Sequence, residues 1–138
     1  MSTRARVAGI GGVFFRARDP KALAAWYRDH LGVPIEGEGT YGTFGVDSAG
    51  QDATGSPLQT VWSTFPSSTE YFGPDGNQWM INYRVVDLDA MLAQLRAAGV
   101  WVSDKIDDSE YGRFSWAADP EGHRFELWQP PTGKPAFG

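Results

Sequence analysis

Near the C-terminus the segment DPEGHRFELWQP, from Asp119 to Pro130, reads as a tight turn followed by a strand with one carboxylate, Glu126, in its middle. Pro120 presets φ at the second turn position, and Gly122 is free to take φ > 0. A carboxylate set among apolar and aromatic strand residues can ligate a metal, act as a general acid or base, or neutralise a buried arginine. Only two histidines are available to join it in a metal site. His30 lies at the end of a helical pattern, where a cation suits the helix dipole. His123 is three positions from Glu126, and strand alternation sends the two to opposite faces. Arg16 and Arg84 each stand three residues before an aspartate that opens a helical pattern. Their guanidinium forks suit a ligand carboxylate or phosphate.

The elements that must position these residues are duplicated. ARDPKALAAWYRDHLGV in the first half answers VVDLDAMLAQLRAAGV in the second, with Asp19 and Asp87 separated by 68 positions. Tyr41-Gly42-Thr43-Phe44 answers Tyr111-Gly112-Arg113-Phe114 at 70, and Val61-Trp62 answers Leu127-Trp128 at 66. A repeat of this period predicts a duplicated structural unit. Each unit reads strand, helix, then short strands broken by glycine turns. The leading strands are expected over Ile10–Arg18 and Met80–Val86. Asp19 caps the first helix with Pro20 behind it and Gly32 ends it; Leu23, Trp26, Tyr27 and Leu31 form its core face. Asp87 and Gly99 bound the second, which buries Leu88, Met91, Leu92 and Leu95. The organisation expected is a first unit over 1–66, a linker over 67–78 and a second unit over 79–138, together one compact domain.

Composition narrows the function. A net charge of −5 and the absence of any basic run argue against nucleic acid, whose phosphates need clustered Lys and Arg. No apolar run approaches the ~18 residues of a spanning helix, so no membrane partner is expected. The lack of cysteine removes disulfides and thiolate chemistry, which fits a cytoplasmic location. Six tryptophans remain to build a core or to line a pocket for a flat ligand.

A duplicated βαβββ unit whose second copy ends in DPEGxxxELW resembles the vicinal oxygen chelate superfamily, which includes glyoxalase I, extradiol dioxygenases, and fosfomycin- and bleomycin-resistance proteins. The resemblance covers Gly12 to Pro130 and implies an α+β fold, two tandem βαβββ units forming a curved sheet around a central cavity, and a homodimer. It implies metal ligands at four positions, a His or Gln seven residues before each capping aspartate and a Glu on the last strand of each unit. Those positions hold Gly12, Met80, Thr60 and Glu126 here, so one ligand is retained. No metal cofactor is therefore expected. A divalent metal would need a site rebuilt from Glu126, His123, a Gln59 turned inward by a bulge, or a partner subunit.

Alternation places Gly12, Phe14 and Arg16 of the first strand on the cavity face, with Met80, Asn82 and Arg84 of its counterpart. Arg124, Glu126 and Trp128 of the last strand, and Thr60 and Trp62 of its counterpart, share that face. The expected function is metal-independent binding of a small organic molecule by these aromatic and arginine side chains, with Glu126 as the one candidate catalytic group. The alternative is a metal-dependent glyoxalase-like lyase or dioxygenase. Tyr71 in the linker is placed to cover the cavity mouth. An arginine paired with Glu126 in a buried salt bridge stands as the purely structural reading.

Overall fold

A computed structural model of the chain describes residues 4–45, 59–73 and 76–131. The chain runs β1 (Val7–Ala17), α1 (Pro20–Leu31), β2 (Tyr41–Phe44), β3 (Thr60–Pro66), β4 (Trp79–Val85), α2 (Leu88–Ala97), β5 (Asp107–Ser109), β6 (Gly112–Ala118) and β7 (Arg124–Gln129). Among the described residues the second half carries three strands after its helix and the first half two. All seven strands form one mixed, curled sheet in the order β2-β3-β1-β4-β7-β6-β5. No described helix is long and apolar enough to cross a membrane.

Both helices start where the aspartates put them. The Asp19 carboxylate accepts from the Ala22 amide at 3.1 Å, and Asp87 accepts from Ala90 at 3.0 Å. Gly32 and Gly99 follow the two helices with φ of 71° and 77°, a region that glycine enters without steric cost.

The two halves join within one chain, through the antiparallel β1–β4 ladder. Its register obeys the duplication: a shift of 68 maps the Phe14–Met80 pair onto the Asn82–Gly12 pair. Val13 pairs with Ile81 on the resulting pseudo-twofold axis. The outer strands carry the symmetry further. Phe14 pairs with Ser63 in the first half as Asn82 pairs with Glu126 in the second. The counterpart of Glu126 is therefore Ser63, not Thr60. Likewise Tyr41 opposes Ser63 as Trp116 opposes Glu126, so Tyr41 answers Trp116 rather than Tyr111.

One sheet face packs on the helices and the other faces into the curl. On the α2 side Val85, Leu88, Met91, Leu92, Ala117 and Leu127 form a fully buried cluster. Each of these side chains other than Ala117 contributes about 1.5–3 kcal/mol by leaving water. The α1 side is packed by rings, and two expectations fail there. Trp62 points outward, 5.1 Å from Phe15 and 4.9 Å from Tyr27, and strand alternation puts Thr60 on the same outer face. The space between α1 and the sheet is thus filled by Phe15, Trp62 and Tyr27. Trp26 and Leu31, expected in the core, ride outside at 50% and 65% exposure. Inside the curl lies a second core of Phe14, Val61, Phe72, Met80 and Trp116, with Phe65, Tyr71 and Phe114 against it.

Candidate functional site

Glu126 lies at the centre of the inner face, 1% exposed. Its two oxygens have different partners. Asn82 Nδ2 donates to Oε1 at 2.6 Å, and the Tyr71 hydroxyl donates to Oε2 in a short hydrogen bond. The Trp116 indole N–H faces the same carboxyl closely enough to favour its charged form, without a hydrogen bond of standard geometry. Burial dominates and lifts the Glu126 pKa to about 7; the bonds from Tyr71 and Asn82 restrain that rise and Asp107 adds a little to it. Burial, then the neighbouring carboxylate, pushes the Tyr71 phenol well above its ordinary value, so Tyr71 remains a donor.

The arginines are not on Glu126; no ion pair among the described residues includes it. Arg16 serves the linker. Its guanidinium donates to the carbonyls of Thr69 at 2.6 Å, Asn77 at 2.8 Å and Ser67 at 2.9 Å, and lies 5.2 Å over the Phe72 ring. Arg124 sits 5.0 Å over the Trp101 ring near the same linker, where Gly73 leaves room for it. Arg84, 2% exposed, lies 4.9 Å over Trp128. Trp128 is held in turn by its N–H to the Tyr111 carbonyl at 2.7 Å and by a parallel Phe114 ring at 5.7 Å.

Sequence reasoning thus brings Asn82, Glu126, Arg84 and Trp128 together on one face, with Met80 buried beside them. Trp62 is not among them, and Thr60, on the outer face, meets Arg84 only at a pocket at the end of the sheet. Two contributors were missed, Phe72 and Trp116. Trp116 becomes legible once β6 is set in register with β7; Phe72 carries no periodic signal.

The residues at the four ligand positions fit a metal poorly. With Ser63 in place of Thr60 the set is Gly12, Ser63, Met80 and Glu126, one carboxyl, one hydroxyl and one thioether. Both Glu126 oxygens already accept hydrogen bonds. His123 is exposed and paired with Asp119 at 2.9 Å, and His30 lies against Trp26. No group of three His, Cys, Asp or Glu stands together among the described residues.

Arg84 also lines a pocket of about 260 Å³ at the end of the trough away from the linker, together with Gly9, Phe44, Gln59 and Thr60. A glycine sets the depth of the trough between this pocket and Glu126. A Cβ at Gly11 would stand 2.3 Å from Asn82 Oδ1 and 2.6 Å from the Trp128 ring. Gly11→Ala is expected to cost about 1–3 kcal/mol in urea unfolding, since both neighbours must shift. An unchanged midpoint would show that the trough yields freely.

A family model described as glyoxalase-like domain matches residues 12–128. Among solved structures, methylmalonyl-CoA epimerase from Mycobacterium tuberculosis is 21% identical with a TM-score of 0.57, over 98% of this chain and 93% of that one. A methylmalonyl-CoA epimerase in complex with methylmalonyl-CoA and NH4+ is 20% identical with a TM-score of 0.60, over 96% and 97%. The NAD-dependent benzaldehyde dehydrogenase structure from Legionella pneumophila is 17% identical with a TM-score of 0.55, over 85% and 96%. At such identities the likeness to solved structures shows the fold alone. No curated protein matches the chain.

Proposed function

The chain belongs to the glyoxalase-like domain family of the vicinal oxygen chelate superfamily, and from that premise we propose that it binds a small organic molecule without a metal. The ligand-facing groups are those of the open end of the trough, and the ligand class is a small organic carboxylate. One observation carries this reading: Arg84, whose buried guanidinium lies over Trp128, lines a pocket of about 260 Å³ beside Gln59 and Thr60. A buried fork of this kind recognises a carboxylate with two parallel hydrogen bonds. The volume suits a ligand of few heavy atoms. The protein acts as a homodimer in the cytoplasm; light scattering behind size exclusion checks the first point.

Titration with benzoate, followed by intrinsic tryptophan fluorescence, tests the pocket. Arg84→Met is expected to weaken binding at least ten-fold, the equivalent of one charge-assisted hydrogen bond. Equal affinity in the variant would reject Arg84 as the anchor. Incubation with zinc, nickel, manganese and ferrous iron, followed by metal analysis, tests metal independence. Stoichiometric metal that disappears in Glu126→Gln would favour the lyase or dioxygenase alternative instead.

A second reading has its own support. A Glu126 pKa of about 7 suits a general acid or base at neutral pH, so the site would serve proton transfer on a bound ligand. A pH–rate profile that loses its limb near 7 in Glu126→Gln would distinguish catalysis from binding.

A further inference from the structure

Resting on the reading of the trough as a ligand site, we infer that the Tyr71 ring is a tethered stand-in for ligand: it fills an aryl subsite floored by Glu126 that accepts a hydroxyaryl group when the ring swings out. The walls of this subsite belong to the sheet and not to the linker. Phe65 of β3 lies 5.4 Å from the Tyr71 ring, and Trp116 of β6 meets it edge-on at 5.4 Å. Glu126 of β7, held by Asn82 of β4, receives the hydroxyl. Four strands therefore define a slot for one ring with one hydroxyl, and the occupant comes from outside the sheet.

The linker is built so that this occupant can leave without the chain unravelling. Arg16 grips carbonyls on both sides of Tyr71, at Ser67 and Thr69 before it and at Asn77 after it. The neighbouring Phe72 is fully buried, whereas Tyr71 is only partly so. Rotation of the Tyr71 side chain alone exposes the slot, with the backbone and Phe72 staying in place. The chemistry of the slot is that of the side chain now in it. Aromatic edges and faces accept a ring, and the carboxyl accepts a hydroxyl proton and disfavours a bare hydrocarbon. A ligand that binds only the ring-out state has its apparent affinity lowered by the fraction of molecules in that state.

The probe is p-cresol, the tyrosine side chain as a free molecule, with toluene as control. Binding is followed by the indole N–H resonance of Trp116 and by calorimetry in the parent protein, Tyr71→Ala and Tyr71→Phe. Tyr71→Ala should bind p-cresol at least ten-fold more tightly than the parent, and p-cresol at least ten-fold more tightly than toluene. Tyr71→Phe keeps the tethered ring without its hydroxyl and should fall between the two, so the inference remains testable if Tyr71→Ala does not fold. Equal p-cresol affinity in parent and variants, or no preference over toluene, would overturn the inference. Benzoate binding that depends on Arg84 would in that case leave the proposed function standing. Failure of benzoate with success of p-cresol would instead reject the carboxylate pocket and keep the aryl subsite.

Discussion

Between pH 4 and pH 8 the parent protein is expected to lose about 3 kcal/mol of stability that Glu126→Gln does not lose. The Glu126 carboxyl moves from an ordinary value of 4.5 to about 7 on folding. Between those values the folded chain holds a proton that the unfolded chain has released, so raising the pH favours unfolding. The loss begins near 4.5 and is complete just above 7; at about 1.4 kcal/mol per pH unit it amounts to about 3 kcal/mol. The trend is opposite to that of the surface carboxylates. Arg113 lowers the pKa of Asp89, and hydrogen bonds from His123 lower that of Asp119, so those two contribute stability that is lost on acidification below their ordinary range. A glutamine at 126 keeps the acceptor for Tyr71. Its amide then faces Asn82, whose own amide must flip so that Oδ1, without a hydrogen-bond partner among the described residues, accepts where Nδ2 now donates. Urea unfolding followed by tryptophan fluorescence at each pH decides the matter. Parallel slopes for the two proteins would place the titrating group elsewhere.

Phe72→Ala should cost about 4 kcal/mol, a large fraction of the stability of a domain this size. Phe72 belongs to the linker, yet it is 0% exposed and packs 5.1 Å from Phe65 within the inner core. Removing the ring opens a cavity walled by Phe14, Met80 and Trp116 and strips Arg16 of the face it lies over. The sheet strands around the hole are tied by their ladders and cannot close it. Phe72→Leu should recover most of the loss. A cost below about 1 kcal/mol for the alanine variant would mean that the linker only rests on the sheet.

The duplication was readable because capped helices leave strong marks. The capping aspartates fixed the offset of 68, with the closing glycines following at 67, and the β1–β4 register obeys the aspartate offset from Gly12 to Phe14 before bulges shift it. The later strands were misaligned because turns between strands change length without leaving a signal. Tyr-Gly-x-Phe recurs at 41 and 111, but the second copy lies at the turn that opens β6, so Tyr41 answers Trp116 instead. The Val61–Leu127 alignment was three positions out. In a strand an odd slip turns every side chain to the other face, which is why Thr60 and Trp62 were assigned to the cavity. Glu126, Asn82, Arg84 and Trp128 escaped the error because β4 and β7 were read directly. Tyr71 was placed at the cavity mouth, but Phe72 beside it was not, since a linker has no period from which burial can be read.

The shared ladder at the centre of the sheet also sets an order of events during synthesis. β1, eleven residues long, gains a neighbour on one side when β3 emerges, and its other edge waits for β4. Met80 follows Phe14 by 66 positions, so at about 5–20 residues per second that edge stays bare for roughly 3–13 s. The ladder's symmetry about Val13 and Ile81 means that a bare β1 offers a strand of nearly the right pattern to the β1 of another nascent chain. Crowded polysomes, and messages truncated within the linker, are therefore where this protein is most exposed to mispairing, before its second half exists to compete.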